Sequence, residues 1–331
     1  MSHFEVTPSA LRIGLLGASR IASSAVLAPS RNIDGVEVVA VAARDPARAE
    51  AFALEHSIPS VAGAYDELVQ RDDLDIIYNA LPVALHEHWT LRALQAGKHV
   101  LLEKPAAPTA AGARALTSEA QRCDRRVIEA FHYRYHPLFA RVLELAGGLG
   151  ELVSAKAVLD VPVPMRPGEI RWDPAMGGGA LMDLGCYAVH WLRTIGQEFT
   201  VETAQMKWAP CNVDESASAE VRFANGARGS LECAMFPHDR GRTATLQIRL
   251  SNGEIFVRNP ILPQHGHELR WRAGGEWIAE TAASTSSYQC QLEAVAYSLR
   301  ANTVLPTEGE DIVNNAAALE AIAQSAGRGR T

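Results

Sequence analysis

Apolar positions divide the first 130 residues into short unbroken runs separated by amphipathic ones. Residues 11–17, 36–43, 75–80, 100–102 and 127–131 are rich in Val, Ile and Leu. Unbroken apolar character marks strands buried on both faces, as in a parallel sheet. Between them, residues 23–28, 46–54, 65–70 and 86–96 have helical character, and the last stretch stops at Gly97, a residue suited to a left-handed C-cap. Strands alternating with helices at this spacing predict a doubly wound parallel α/β sheet.

The pattern changes beyond residue 132. Pro137 opens a helix that runs to about 145. Residues 161–168, VPVPMRPG, hold too many prolines for regular structure. A helix starts near Ala180, after three glycines. From residue 200 the polarity alternates with period two, as in 218–223 and 230–236, which reads as half-exposed strands. Asn225-Gly226 and 251–253 are hairpin-type turns. Residues 260–267 read as an irregular loop that composition does not place. Helices over 288–301 and 309–326 close the chain, followed by a basic tail, 327–330, expected to be disordered. Two domains follow: 1–131, built on the parallel sheet, and 132–331, an α+β unit.

A formal charge of −7 argues against non-specific nucleic-acid or acidic-membrane binding. The five cysteines are scattered and odd in number, without a C-x-x-C pair, which argues against a disulfide framework or a cysteine zinc site. The first six residues lack a basic segment leading into an apolar core, and no run is long enough to span a bilayer, so cytoplasm is the expected location.

Candidate chemistry gathers at strand ends. Gly17-Ala18-Ser19-Arg20-Ile21-Ala22 follows the first strand and opens a helix, the setting of a dinucleotide fingerprint. Gly17 turns the chain, and Ala22 allows close helix packing. Ser19 stands where a glycine normally lets backbone approach the pyrophosphate, and its hydroxyl can hydrogen-bond there, beside a helix N-terminus. A bare βα turn without a ligand is the alternative. After the second strand comes Arg44, which suits a 2′-phosphate and so NADP, with Arg20 across the crevice. Asp45 keeps NAD open, although it also reads as the cap of the next helix. Leu81 borders the crevice and His86 is placed to touch cofactor; His86 and His88 fall on different helical faces, so no metal site is expected.

Val100-Leu101-Leu102-Glu103-Lys104-Pro105 ends a buried strand on an acid, a lysine and a proline. Lys104 is either a surface residue or a cation aimed into the crevice. The segment His132-Tyr133-Arg134-Tyr135-His136 is either a hydrogen-bonded hinge or a set of ligand groups. Asp183 and Tyr187 share one helical face, with His190 a turn further along. They form either a reactive stripe or an internally satisfied polar face. Arg171 and Trp172 follow the proline-rich loop; Trp172 offers a flat apolar face for a sugar ring, or simply anchors the loop.

The blocks Gly17–Ala22, Leu81-Pro82-x-x-x-His86 and Ala96-Gly97-Lys98-His99-Val100-Leu101-Leu102-Glu103-Lys104-Pro105 together resemble the Gfo/Idh/MocA oxidoreductase family, over almost the whole chain. The resemblance implies a Rossmann domain joined to a domain with a large, mostly antiparallel sheet, and hydride transfer between NAD(P) and a sugar or polyol carbon. It also implies a homodimer or homotetramer through the open sheet face. It places Lys104 beside nicotinamide and substrate, counts Glu103 among the cofactor contacts, and puts Asp183 with Tyr187 beside Lys104, as in the branch of dihydrodiol dehydrogenases, glucose–fructose oxidoreductase and deoxysugar ketoreductases. Arg171 and Trp172 match positions that face cofactor and substrate there. The serine at 19 departs from the usual glycine.

From this, Tyr187 is expected to act as general acid/base, its pKa lowered by Lys104, the rival proton donor. Asp183 then holds a substrate hydroxyl or orients Lys104, and His190 is the most doubtful substrate contact. The expected activity is NADP-dependent hydride transfer at a secondary alcohol or ketone of a sugar-like ring. A trans-dihydrodiol or D-xylose dehydrogenase is the neighbouring alternative, and a silent NADP-binding sensor is the alternative of another class.

Overall fold

The structure, a computed structural model, describes residues 10–235 and 241–328. The first six residues, Phe236 and the Gly329-Arg330 end of the tail lie outside the described residues.

Six parallel strands form the first sheet: β1 (Leu11–Leu16), β2 (Val36–Ala42), β3 (Ser60–Val61), β4 (Ile76–Asn79), β5 (His99–Leu102) and β6 (Val127–Glu129). Their order is β3-β2-β1-β4-β5-β6. The direction of winding reverses between β1 and β4, and a crevice opens there at the carboxyl ends of the strands. Unbroken apolar runs suit this sheet because both faces are covered. Ile77, Val100 and Leu102 enter one core cluster, while Tyr78 and Leu101, offset by one residue, enter another. Asp45 caps the helix Pro46–His56, accepting from Ala47 N at 3.1 Å, as its position before a proline predicts. Thr109 caps Ala110–Arg122 in the same way.

The second sheet has eight strands: β7 (Leu152–Asp160), β8 (Phe199–Trp208), β9 (Asp214–Phe223), β10 (Arg228–Ala234), β11 (Thr243–Leu250), β12 (Gly253–Arg258), β13 (Glu268–Arg272) and β14 (Ile278–Glu280). They run β14-β13-β12-β11-β7-β10-β9-β8, antiparallel except where β7 meets β10. Alternation in β9 and β10 sends Val221 and Leu231 inward, under Trp191 and Leu192 of the helix Cys186–Gly196. Their neighbours Glu220 and Glu232 point to the other face, where Glu232 pairs with Lys156 at 2.6 Å. This is the half-covered sheet that a period of two implies.

The last two helices join both halves. Ser287–Ala301 buries Leu292, Val295 and Ala296 against the first sheet. Glu310–Arg328 puts Ile312, Val313 and Ala316 on the opposite face of that sheet, and Leu319 and Ile322 into the second core. Arg126 grips Glu308 with two bonds of 2.8 Å, fixing the approach to that helix.

Candidate active site

A cleft of about 810 Å³ lies between the carboxyl edge of the first sheet and the inner end of the second. On the first-domain side its wall begins at the β1 turn. Gly17 takes a positive φ of 94°, and its N–H donates to Ala42 O at 2.8 Å, so the chain turns at once after β1. Ser19 follows in extended conformation, with its Oγ buried and without a partner among the described residues. The helix beyond is irregular: an α turn at Arg20–Ala22, a π segment at Ser23–Leu27, and an α turn at Ala28–Ser30.

Arg20 and Ile21 line the cleft, and Arg20, 79% exposed, reaches 4.0 Å from Glu169 across it. Arg44 is exposed just past β2. Arg48, one helical turn on, donates to Ala18 O at 2.9 Å and reaches the same wall. Sequence reasoning missed Arg48. The signal was a second arginine in the first turn of the helix that Asp45 caps, close in sequence to Arg44.

Leu81 borders the cleft, and His86 is pinned behind it. Its ring nitrogens lie 2.8 Å from Leu81 O and 3.0 Å from Pro105 O. Burial lowers the His86 pKa to about 4, against the pull of these carbonyls, and as a neutral ring it donates to one of the two loops while packing against the other. Glu103 accepts from the buried Tyr78 hydroxyl at 2.6 Å, and burial raises its pKa despite that bond and the Lys104 charge.

The second domain answers with a glycine turn. A Cβ on Gly178 would lie 2.5 Å from Arg171 O, and one on Gly179 only 2.1 Å from Asp214 Oδ1. These glycines let Asp214 cap the next helix, accepting from Leu181 N at 2.7 Å. That helix opens as a π segment, Leu181–Gly185, before becoming α-helical at Cys186. Asp183 and Tyr187, on either side of this junction, both line the cleft. Wide turns of this kind recur at functional sites.

The Lys104 ammonium crosses from the first domain to meet them. It donates to Asp183 O at 2.8 Å and to Asp183 Oδ1 at 2.9 Å. Burial works against its charge, but the Asp183 carboxylate, helped by Cys186 and Glu103, outweighs it and holds the lysine above its ordinary range. Tyr187, 7% exposed, goes the other way from expectation. Burial first, then Tyr288, Glu103, Cys186 and Asp183, push its phenol well above the usual value. Lys104 lies 4.9 Å from the ring centroid, but two of its three N–H bonds are given to Asp183. The expected lowering of the Tyr187 pKa by Lys104 is therefore corrected: Tyr187 is a neutral phenol. Its hydroxyl instead meets His132 Nε2 at 3.3 Å.

Arg171 lines the cleft, bonded to Glu169 at 2.8 and 3.0 Å and 3.9 Å from Asp183 Oδ2. Two other expected contacts are corrected. Trp172 is 6% exposed in the second core, and its Nε1 donates to Val163 O at 3.1 Å, so it anchors the proline-rich loop. His190 is 1% exposed, stacked on Phe131, with its ring nitrogens 2.6 Å from Tyr133 Oη and 2.9 Å from Asp311 Oδ2. It ties three segments together behind the cleft. On a helix this buried, the next turn along the reactive face already meets core. The 260–267 loop contributes Ile261 and Leu262 to the cleft, and Tyr288, Arg242 and His132 also line it.

Residues 11–131 match the oxidoreductase family with an NAD-binding Rossmann fold, and residues 140–256 match the GFO/IDH/MocA C-terminal domain. A D-xylose 1-dehydrogenase (NADP(+)) of Haloferax volcanii is 32% identical over 324 residues, covering 96% of this chain and 98% of that protein. A dTDP-3,4-didehydro-2,6-dideoxy-alpha-D-glucose 3-reductase of Saccharopolyspora spinosa is 31% identical, over 97% of this chain and 99% of its own. The crystal structure of a 3-ketoreductase from Actinomadura kijaniata, in complex with NADP and TDP-benzene, superposes with a TM-score of 0.87. It is 25% identical and covers 96% of this chain and 98% of that one.

Proposed function

The chain belongs to the Gfo/Idh/MocA family of oxidoreductases, and from that premise we propose that it interconverts a secondary alcohol and a ketone on a sugar-like ring, with NADP as cofactor. The observation that carries this reading is Lys104 Nζ bonded to Asp183 beside Tyr187, at the carboxyl edge of the parallel sheet. The cofactor fits this chain. Ser19 lines the cleft with its Oγ unpartnered among the described residues, available to a pyrophosphate oxygen, and Gly17 turns the chain beside it. Arg44 and Arg48 supply guanidinium groups at the adenosine end, where a 2′-phosphate selects NADP over NAD.

When bound, the nicotinamide ring gives or takes hydride. The protein does the rest. Tyr187, a neutral phenol, donates its proton to the carbonyl oxygen in reduction, and the phenolate so formed is the group that takes a proton in oxidation. Lys104 stays charged and points one N–H at the same oxygen, stabilising negative charge that develops there. Asp183 fixes Lys104 through its carboxylate and carbonyl and takes substrate hydroxyls with its remaining lone pairs. Arg171 and Glu103 complete the nicotinamide end, and Ile261, Leu262 and Tyr288 enclose the ring.

We place the protein in the cytoplasm, as a homodimer or homotetramer joined through the open face of the second sheet. Among the described residues, no helix is long and apolar enough to cross a membrane. Fluorescence titration with NADPH and NADH, followed by turnover of D-xylose, other aldoses and trans-1,2-dihydrobenzenediol, tests the reading. NADPH-selective binding with turnover supports it. Tight binding without turnover of any of these favours a silent NADP-binding sensor. The assembled Lys104, Asp183 and Tyr187 speak against that outcome.

A further inference from the structure

Glu169 ends the proline-rich loop as a buried acid among arginines. Arg171 gives it two hydrogen bonds, Nε to Oε1 at 2.8 Å and Nη2 to Oε2 at 3.0 Å. Arg166 and Arg20, both more exposed, reach Oε2 only at 3.6 and 4.0 Å. The Arg171 bonds come first in holding the Glu169 carboxyl below its ordinary range, against burial. They engage the Nε–Nη2 edge of a rigid planar fork. The remaining nitrogen, Nη1, lies 3.9 Å from Asp183 Oδ2, an attraction without a hydrogen bond.

Asp183 thus meets two cations unequally. Lys104 Nζ bonds its Oδ1 and its main-chain oxygen, while Arg171 stops short of Oδ2. The backbone holds the acid in place, since Asp183 N donates to Gly179 O at 2.9 Å. A guanidinium is the better fork for a carboxylate, because two parallel N–H bonds fit its two oxygens. Released from Glu169, Arg171 has only a short way to travel to Oδ2. A carboxylate that also binds a guanidinium attracts an ammonium less, and the guanidinium brings a like charge closer; both effects lower a lysine pKa. The other groups facing Lys104 are Cys186 and Tyr187 from the helix, and Glu103 and Glu129 from the ends of β5 and β6. His86, His132 and Tyr288 face it as neutral rings. Among the described residues, only Asp183 accepts a hydrogen bond from the ammonium.

We propose that Glu169 is a positioning residue for this reaction: it holds the Arg171 guanidinium off Asp183, so that Oδ1 stays with Lys104 and Oδ2 stays open to a substrate hydroxyl. The effect on the Lys104 charge follows from the ion-pair geometry alone. The effect on the rate rests on the assignment of Lys104 to the reacting oxygen.

The chain has four lysines, so the Lys104 side chain can be followed by NMR in the whole protein labelled with ¹³C-lysine, as the pH is raised to 11. Glu169→Gln keeps the length of the side chain and an acceptor oxygen but not the charge; Glu169→Ala removes all three. In both, Lys104 is expected to lose its proton about one pH unit earlier, giving about tenfold more uncharged amine at pH 11 than in the parent. Repeated in the Arg171→Gln background, Glu169→Gln is expected to change that fraction by less than about threefold, because the competing cation is gone. A Lys104 signal unmoved by Glu169→Gln overturns the proposal. An equal shift in both backgrounds also overturns it, since the missing acid then acts by its own field, and so does a shift in Glu169→Ala alone, which is lost packing. In NADP⁺-dependent oxidation of D-xylose, the alkaline limb of kcat should move with the lysine. A shifted lysine with an unmoved limb leaves Glu169 positioning Lys104 and removes Lys104 from the reacting oxygen.

Discussion

Lys104 Nζ sits 2.9 Å from Asp183 Oδ1, an ion pair made between the two halves of the molecule across the cleft. The lysine comes from the end of β5 and the acid from the π segment after the glycine turn. Each is partly buried, and the acid supplies the charge that holds the lysine ionised there.

The pH dependence of activity should depend on that pair. Asp183 holds Lys104 charged above the ordinary lysine range. In Asp183→Asn, burial acts unopposed by the carboxylate, and the lysine pKa falls. Its charge, and with it the rate, is then lost as pH rises, at a lower pH than in the parent. A pH–kcat profile from 6 to 11 is expected to show the alkaline limb moving to lower pH, with a loss of about 10- to 100-fold at pH 8. Superimposable alkaline limbs would separate Asp183 from Lys104.

Arg44→Ala and Arg48→Ala should each weaken NADPH binding about tenfold or more while leaving NADH nearly unchanged, since only the 2′-phosphate is lost as a partner. Titration of both variants with both nucleotides checks this. Equal losses for the two cofactors would move the 2′-phosphate elsewhere. Arg48 also carries the 2.9 Å bond to Ala18 O, so its variant is expected to show a smaller additional loss for NADH.

His190→Ala should be a stability variant. It removes the ring nitrogen bonded to the Tyr133 hydroxyl and opens a cavity behind Phe131. A cost of about 2–4 kcal/mol is expected from unfolding in urea, with KM for sugar unchanged in the folded protein. Unaltered stability with a tenfold higher KM would return His190 to the substrate site.

Glu129 gives a second pH-dependent signature. It is buried beside the cleft loop, accepting from Ala106 N at 2.8 Å through one oxygen, with the other unpartnered. Burial first, then Asp311, raise its pKa from 4.5 to about 8. The folded state therefore keeps a proton that the unfolded chain has lost. Stability from this group is full below about 4.5 and falls as pH rises towards 8, at roughly 1.4 kcal/mol per pH unit. Glu129→Gln removes this slope, so the variant should gain on the parent steadily from pH 5 to 8 in urea unfolding. Parallel stability curves would refute the shift.

The sequence disclosed the sheet better than the site. Parallel strands buried on both faces write unbroken apolar runs, and β1, β2, β4 and β5 follow those runs closely. Two-residue β3 and the edge strand β14 are too short to carry a period. Lys104, Asp183 and Tyr187 were legible as motif residues, and they meet in the cleft. Trp172 and His190 look the same in sequence whether they face a ligand or a core, because a Trp N–H and a His ring are satisfied equally by a carbonyl, a phenol or a substrate. The His132–Tyr187 contact joins residues 55 apart through the packing of two helices and a short turn, and no local pattern encodes it.

Tyr187→Phe, compared with the parent in NADP⁺-dependent turnover of D-xylose, tests the central claim most directly. The substitution removes one oxygen and the proton it carries while preserving the ring that packs on Phe131. A fall in kcat of about 10³-fold or more, with the NADPH Kd unchanged, is the expected result. A kcat within a few-fold of the parent would contradict the account and pass the proton to Lys104.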